Sequence, residues 1–360
     1  MRGVFTYQQL LSGAKGIPAL SLGEGQTPLV RSRYLGPTLG MKNLFFKLES
    51  LNPTGSYKDR FASLAIAGLM HDGSNVCLAT SSGNTGAALA AYAAAAKINC
   101  HVAVVDGAPR EKLEQMLAYG AKLWMVKDFG LDDTQSRQVF IDLQKLAEYH
   151  KTQVQISAFS YSPFGMQGVQ TIAYEIAEEL PAVEHVLSPA GGGGLTLATA
   201  KGFEIWSEAK KSFNLPRIHC VQPAGNDTIA HPLRNGATEA RSIASSTTTI
   251  SGLQVPNVID GHETLHACRR SGGSGITVLD EDVYKQQKIL AQYEGIYCEP
   301  AAAVSVSGLA NALETRAIDP DAYTVCLITG HGFKDRAATK KMIGSNEIRY
   351  IEEIDQLKII

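Results

Sequence analysis

Three glycine-containing turns occur where a strand-like run passes into a helical one: SSGNTG (81–86) after NVCLA, GGGGL (191–195) after HVLSP, and ITGHG (328–332) after TVCL. A turn of this kind presents clustered backbone N–H groups at the positive end of a helix, which makes it a natural anion site. One such turn says little. Three of them, from three strands, could supply the separate polar anchors needed by a small cofactor that carries a phosphate, a phenolic oxygen and a ring nitrogen.

The stretch GGGGLTLATAKG (191–202) has a rival reading, because a glycine-rich turn between strand and helix also binds dinucleotides. That reading expects an acidic residue at the end of the following strand to hold the ribose hydroxyls. Here the following strand, IHCVQ (218–222), ends in Gln222 and then Pro223, so the acid is missing. A structural turn with no ligand is about as common as a true phosphate cup. Lys58 lies in NPTGSYKDR (52–60), a turn-forming NPTG followed by a helix start. By composition alone it is one basic residue among 33, and a solvated lysine at a helix start is the plain reading.

The elements that must position these residues read as α/β with parallel sheets. Short strand-like runs (LFFKL, NVCLA, HVAVV, KLWMV, VQIS, HVLSP, IHCVQP, TVCLIT) alternate with longer helical patterns, among them helices from about Tyr57, Thr85 and Arg110. In such sheets ligands collect at the C-terminal ends of the strands. The stretch from about Asn235 to Asp260, rich in Ser, Thr, Gly and Pro, is the most irregular, and either covers a site or connects elements.

With 360 residues, 44% hydrophobic and 19% charged, the chain can bury a large core and suits two moderate domains. A net charge of -2 and the lack of a long Lys/Arg run argue against a nucleic-acid partner. No stretch approaches the roughly 18 apolar residues of a membrane span, and no signal-peptide run is legible, so the expectation is a cytoplasmic protein without a membrane partner. Six cysteines are scattered without C-x-x-C spacing, four of them in apolar strand-like runs, which predicts neither disulfides nor a metal site.

Taken in order, GQTPL (25–29), NPTGSYKDR, SSGNTG, GGGGL, EPAAA (299–303) and TGHGFKD (329–335) resemble the signatures of fold-type II pyridoxal 5'-phosphate (PLP) enzymes over nearly the whole chain. NPTGSYKDR, SSGNTGAALAAYAA and TGHGFKD look most like threonine synthases. GGGGL and EPAAA look more like serine/threonine dehydratases and racemases. The resemblance implies that Lys58 holds the cofactor as a Schiff base, Asn84 bonds its 3'-oxygen, and Gly191, Gly192, Gly193, Gly194 and Leu195 cup its phosphate, while Thr329 faces the pyridine nitrogen. Ser81, Ser82 and Thr85 would donate to the substrate carboxylate, with Lys112 as a further substrate contact.

The same resemblance implies a small mobile domain (57–157) closing on a large one (1–56 plus 158–360), in a homodimer acting on a small amino-acid substrate. As a synthase it would eliminate phosphate from O-phosphohomoserine and add water at the β-carbon. As a dehydratase-like enzyme it would carry out β-elimination or β-replacement on another amino acid. In either case Lys58, once displaced, is the general base and PLP the electron sink. A hydroxyl such as that of Thr329, unlike a carboxylate, leaves the ring nitrogen without a charge partner and favours elimination over transamination. A catalytically silent metabolite-binding protein is the rival from another class, and the retention of Lys58, Asn84, GGGGL and Thr329 counts against it.

Two departures bear on the reaction. Where threonine synthases carry an arginine in an N-P-x-R stretch, this chain has SPFG, which places Gly165 there; and DGAPREKLEQM (106–116) keeps Lys112 but lacks a second lysine before it. Arg110 is the candidate to compensate. Cys298 reads as a buried structural cysteine and His331 equally as a turn residue or a site residue. Asp59 and Arg60 read as structural salt-bridge formers.

Overall fold

The computed structural model describes residues 3–345, 348 and 350–353. The strands are β1 (Leu29–Arg31), β2 (Leu44–Lys47), β3 (Val76–Thr80), β4 (Asn99–Val104), β5 (Lys122–Met125), β6 (Val154–Gln155), β7 (His185–Pro189), β8 (Arg217–Pro223), β9 (Gly275–Val278) and β10 (Thr324–Leu327). They form a six-stranded sheet in the order β1-β2-β10-β7-β8-β9 and a four-stranded sheet in the order β5-β4-β3-β6. β1 runs antiparallel to β2, and the other pairings are parallel. The α/β reading with parallel sheets holds. β1 and β9 escape the sequence pattern because LVR and GITV are too short to show a period, and the second follows a Ser/Gly run.

Both faces of the larger sheet are covered, as parallel sheets require. All five residues of β7 are buried. Neighbours along it belong to opposite cores: Val186 to the one that holds Phe61, Ile172 and Phe203, and Leu187 to the one that holds Phe46, Val221 and Val304. The first core also takes in Cys77, Ala79 and Val102 of the smaller sheet, so apolar packing is continuous between the sheets on that side.

Helices begin at Lys58, Asn84, Arg110, Gly194 and Pro300, close to where the turns end in sequence. The helix Pro163–Glu179 fits against Lys58–His71 because residue 168 is glycine: a Cβ there would lie 2.0 Å from the Arg60 carbonyl oxygen. Beneath this contact lies a buried ionic network. Arg60, 0% exposed, pairs with Glu49 at 2.7 Å and Glu175 at 2.6 Å, and Lys47 pairs with Glu175 at 2.9 Å and Glu179 at 2.7 Å. Arg60 is thus the structural ion-pair former expected. Asp59 is instead held by hydrogen bonds from the Thr54 N–H and hydroxyl.

No helix among the described residues is long and apolar enough to cross a membrane. The six cysteines are free and buried. Between Arg234 and Gly261 the chain forms neither helix nor strand.

Candidate active site

The C-terminal ends of β3, β6, β7 and β10 open onto one cleft of about 1200 Å³. Lys58, Ser81, Ser82, Asn84, Thr85, Lys112, Gly191–Leu195 and Thr329 all line it. The turns that looked alike in sequence are therefore brought together in space. Part of the irregular stretch, Ser251 to Val255 with Ile259, lines the cleft too, so that stretch does more than connect.

Lys58 is the first residue of its helix and is half-buried. Its Nζ donates to Ser157 Oγ at 2.6 Å, and that hydroxyl in turn lies 2.9 Å from Thr85 Oγ1. The ammonium also sits 4.4 Å from the Tyr57 ring centroid. No carboxylate pairs with it among the described residues. A helix N-terminus favours anions, so this amine is held by a hydroxyl and a ring where a cation gains nothing from the dipole.

The Gly191–Leu195 turn leads into the helix Gly194–Ala209. Gly193 has φ +96°, and a Cβ on Gly194 would come within 3.0 Å of Asp260 Oδ2. The turn is fixed by its carbonyls: Gln222 Nε2 donates to Gly191 O at 3.0 Å, Asp260 N to Gly192 O at 3.1 Å and Thr264 Oγ1 to Gly193 O at 3.1 Å. Among the described residues no acceptor takes up the N–H groups of Gly191 to Leu195. Orphaned donors at a helix start are what a phosphate dianion satisfies.

Ser81 Oγ accepts from Gly83 N at 3.2 Å and Gly86 N at 3.0 Å, and Ser82 Oγ from Val105 N at 3.1 Å. Each hydroxyl keeps its own O–H for donation. Thr329, 4% exposed, is anchored by Tyr57 N donating to its carbonyl at 3.0 Å. Asn84 Nδ2 donates to Glu299, 2.9 Å to Oε1 and 3.3 Å to Oε2.

Two further lysines, Lys112 and Lys334, line the cleft. Lys112 Nζ donates to Ser251 Oγ at 2.6 Å and Lys334 Nζ to Gln115 Oε1 at 2.6 Å. Both partners are neutral. Burial depresses the Lys334 amine, with Glu299 and Asp59 pulling it back up. Burial likewise pushes Glu299 up to about 7, against the opposing pull of Lys334, and Asp59 up to about 7, against its Thr54 hydrogen bonds.

Arg110 is exposed and outside the cleft, so it compensates for nothing there. Gly165 is also outside. A Cβ on it would lie 2.7 Å from the Phe61 ring and 2.9 Å from Ala65 Cβ, so this backbone position has no room for an arginine. Cys298 is fully buried and does not line the cleft. His331 does line it, with Nδ1 accepting from Phe333 N at 3.3 Å. Ser157, Ser251, Gln115, Glu299 and Lys334 are the site residues that sequence reasoning did not assign. Glu299 and Lys334 stood inside recognised motifs; Ser157 and Ser251 had no local signal.

The sequence family described as pyridoxal-phosphate dependent enzyme matches residues 20–330. A threonine synthase of Methanocaldococcus jannaschii is 35% identical over 336 residues, 92% of this chain and 81% of the relative. Another, of Halalkalibacterium halodurans, is 32% identical over 345 residues, 94% of this chain and 91% of the relative. Maize serine racemase superposes with a TM-score of 0.74 over 89% of this chain and 92% of that one, at 23% identity, a likeness of fold alone.

Proposed function

This chain belongs to the pyridoxal-phosphate dependent enzyme family, in its fold-type II branch, and from that premise we propose that it is a lyase of the threonine synthase kind, taking O-phosphohomoserine to L-threonine. The residues present fit the cofactor. The free N–H groups of Gly191 to Leu195 would hold its phosphate, Lys58 its aldehyde carbon, Asn84 its 3'-oxygen and Thr329 its ring nitrogen. Bound there, PLP supplies an electron sink for charge that develops at the substrate α-carbon.

The protein's own part is binding, orientation and proton transfer. Ser81, Ser82 and Thr85 sit at the start of the helix Asn84–Ala96 and would receive the substrate carboxylate, which the helix dipole also favours. Lys58 Nζ, steered by Ser157, would take and return the α-proton. We assign the substrate's phosphate to Lys112 and Lys334.

The pairing of those two lysines with neutral oxygens alone is the observation that carries the reading. Each cation is held facing the cleft without a carboxylate partner within ion-pairing distance, and a dianionic side chain is what such a pair can receive. This supplies basic groups that Gly165 cannot. Their contacts also tie the helix Arg110–Ala118 to Ser251 and to the segment after β10, which supports residues 57–157 as the closing domain. A homodimer in the cytoplasm is part of the same proposal.

The test is to incubate the PLP-loaded protein separately with O-phosphohomoserine, L-threonine and L-serine and to identify products by mass spectrometry. L-Threonine plus phosphate from the first supports the synthase. 2-Oxo acids from the others, with phosphohomoserine untouched, would move the protein to the dehydratases.

A further inference from the structure

Glu299 is an acid of the cleft to which the proposed reaction gives no task. It precedes the helix Pro300–Glu314, is 9% exposed, and has no basic side chain within ion-pairing distance among the described residues. The side chain that meets it is Asn84, through Nδ2 at 2.9 and 3.3 Å. Its other flank is closed: Glu299 N donates to Gly330 O at 3.0 Å, and a Cβ on Gly330 would lie 2.1 Å from Glu299 Oε1. The carboxyl is therefore wedged between Asn84 and the residue after Thr329, the two groups assigned to the 3'-oxygen and the ring nitrogen.

An ionised carboxylate has only acceptors, so it must meet the nitrogen end of the Asn84 amide. A protonated carboxyl also has an O–H, which the amide oxygen can accept. Ionised Glu299 thus fixes which way the Asn84 amide is turned, whereas protonated Glu299 can meet either end of it. We propose that Glu299 is a positioning residue that acts through Asn84: ionised, it locks the amide with Nδ2 on the carboxylate, and protonated, it frees the amide to flip, so that the polarity offered to the cofactor's 3'-oxygen changes with pH.

The charges around it place this change in the neutral range. Burial raises its affinity for a proton and Asp335 adds to that, while Lys334 and Lys112 oppose it, leaving the group near 7. Asp59 acts on the same set through Lys334, and His331 lies across the neighbouring Cys298. The inference rests on the reading of Asn84 as the 3'-oxygen partner.

The experiment follows the visible absorption of the PLP-loaded protein from pH 5.5 to 9, for wild type, Glu299→Gln and Asn84→Ala, with PLP affinity and melting temperature measured alongside. A spectral step centred between roughly pH 6 and 8 in wild type, lost in both variants while the cofactor stays bound, is the expected result. A step that persists in Glu299→Gln overturns the proposal, as does a wild type without one. If Asn84→Ala alone keeps the wild-type step, Glu299 acts by another route and the positioning role fails. Borohydride reduction separates this from the underlying reading, since wild type without a stable adduct on Lys58 sinks the cofactor assignment itself.

Discussion

Lys58 Nζ donates a 2.6 Å hydrogen bond to Ser157 Oγ, a residue 99 positions away and two residues past the end of β6. The bond joins the start of the helix Lys58–His71 to the strand end that closes the smaller sheet, and Thr85 shares the same hydroxyl at 2.9 Å. A flexible four-carbon stem has many rotamers, and a hydroxyl with a second partner of its own selects one of them.

Removing that hydroxyl should cost orientation rather than fold. Ser157→Ala is expected to lower kcat by about 10- to 100-fold, because a misplaced proton carrier loses that much through geometry alone. Borohydride should still trap PLP on Lys58. A variant with unchanged kcat at equal cofactor occupancy would remove Ser157 from the mechanism.

The two cleft lysines make a prediction that separates substrates. Lys334→Met and Lys112→Met should each raise KM for O-phosphohomoserine by about 10- to 100-fold, the worth of a charge-assisted hydrogen bond of roughly 1.5–3 kcal/mol. Turnover of substrates without a phosphate should change much less. Steady-state kinetics on both substrate types checks this, and an equal loss on both would mean that the lysines hold the cleft rather than the phosphate.

The cores and most strands of this fold are legible because β7, β8 and β10 are apolar runs buried on both faces. The glycine turns are legible because helix starts need N–H donors exposed. What is lost is direction. Arg110 and Lys112 lie two residues apart on a helix, about 200° around its axis, so one faces solvent when the other faces the cleft, and sequence order does not say which. Ser157 and Ser251 are drawn to Lys58 and Lys112 by tertiary packing, at separations that carry no periodic signal. The place of Gly165 against Phe61 is likewise a helix–helix contact, visible only when both helices are packed.

Arg60, two residues after the site lysine, is bound to the fold by buried charge on every side. Nε and both terminal nitrogens are used, on Glu49, Glu175, Thr171 and Thr27. Arg60→Met leaves Glu49 fully buried without its guanidinium and should destabilise the protein by about 3–5 kcal/mol. Urea unfolding measures it. Cofactor affinity should fall as well, since the helix that carries Lys58 loses its anchor.

Acid sensitivity should come in part from a buried histidine pair carried by the adjacent strands β7 and β8. His185 Nδ1 and His219 Nε2 are 2.9 Å apart, and Ser274 Oγ lies 2.8 Å from His219 Nδ1. Burial depresses both rings, His219 to about 3, and each ring's further neighbours include the Arg217 cation. A histidine whose folded pKa lies below its unfolded value of about 6.5 stabilises the fold in its neutral form. That stability is complete above pH 6.5 and is lost as pH falls toward 3, because the unfolded chain takes up the proton first. At pH 5 the loss from His219 alone is about 2 kcal/mol. His219→Gln, which cannot titrate, should therefore show a flatter decline in unfolding free energy between pH 8 and 5 than wild type, even though its stability at pH 8 is lower. Parallel slopes for the two proteins would show that the pair does not contribute to acid unfolding.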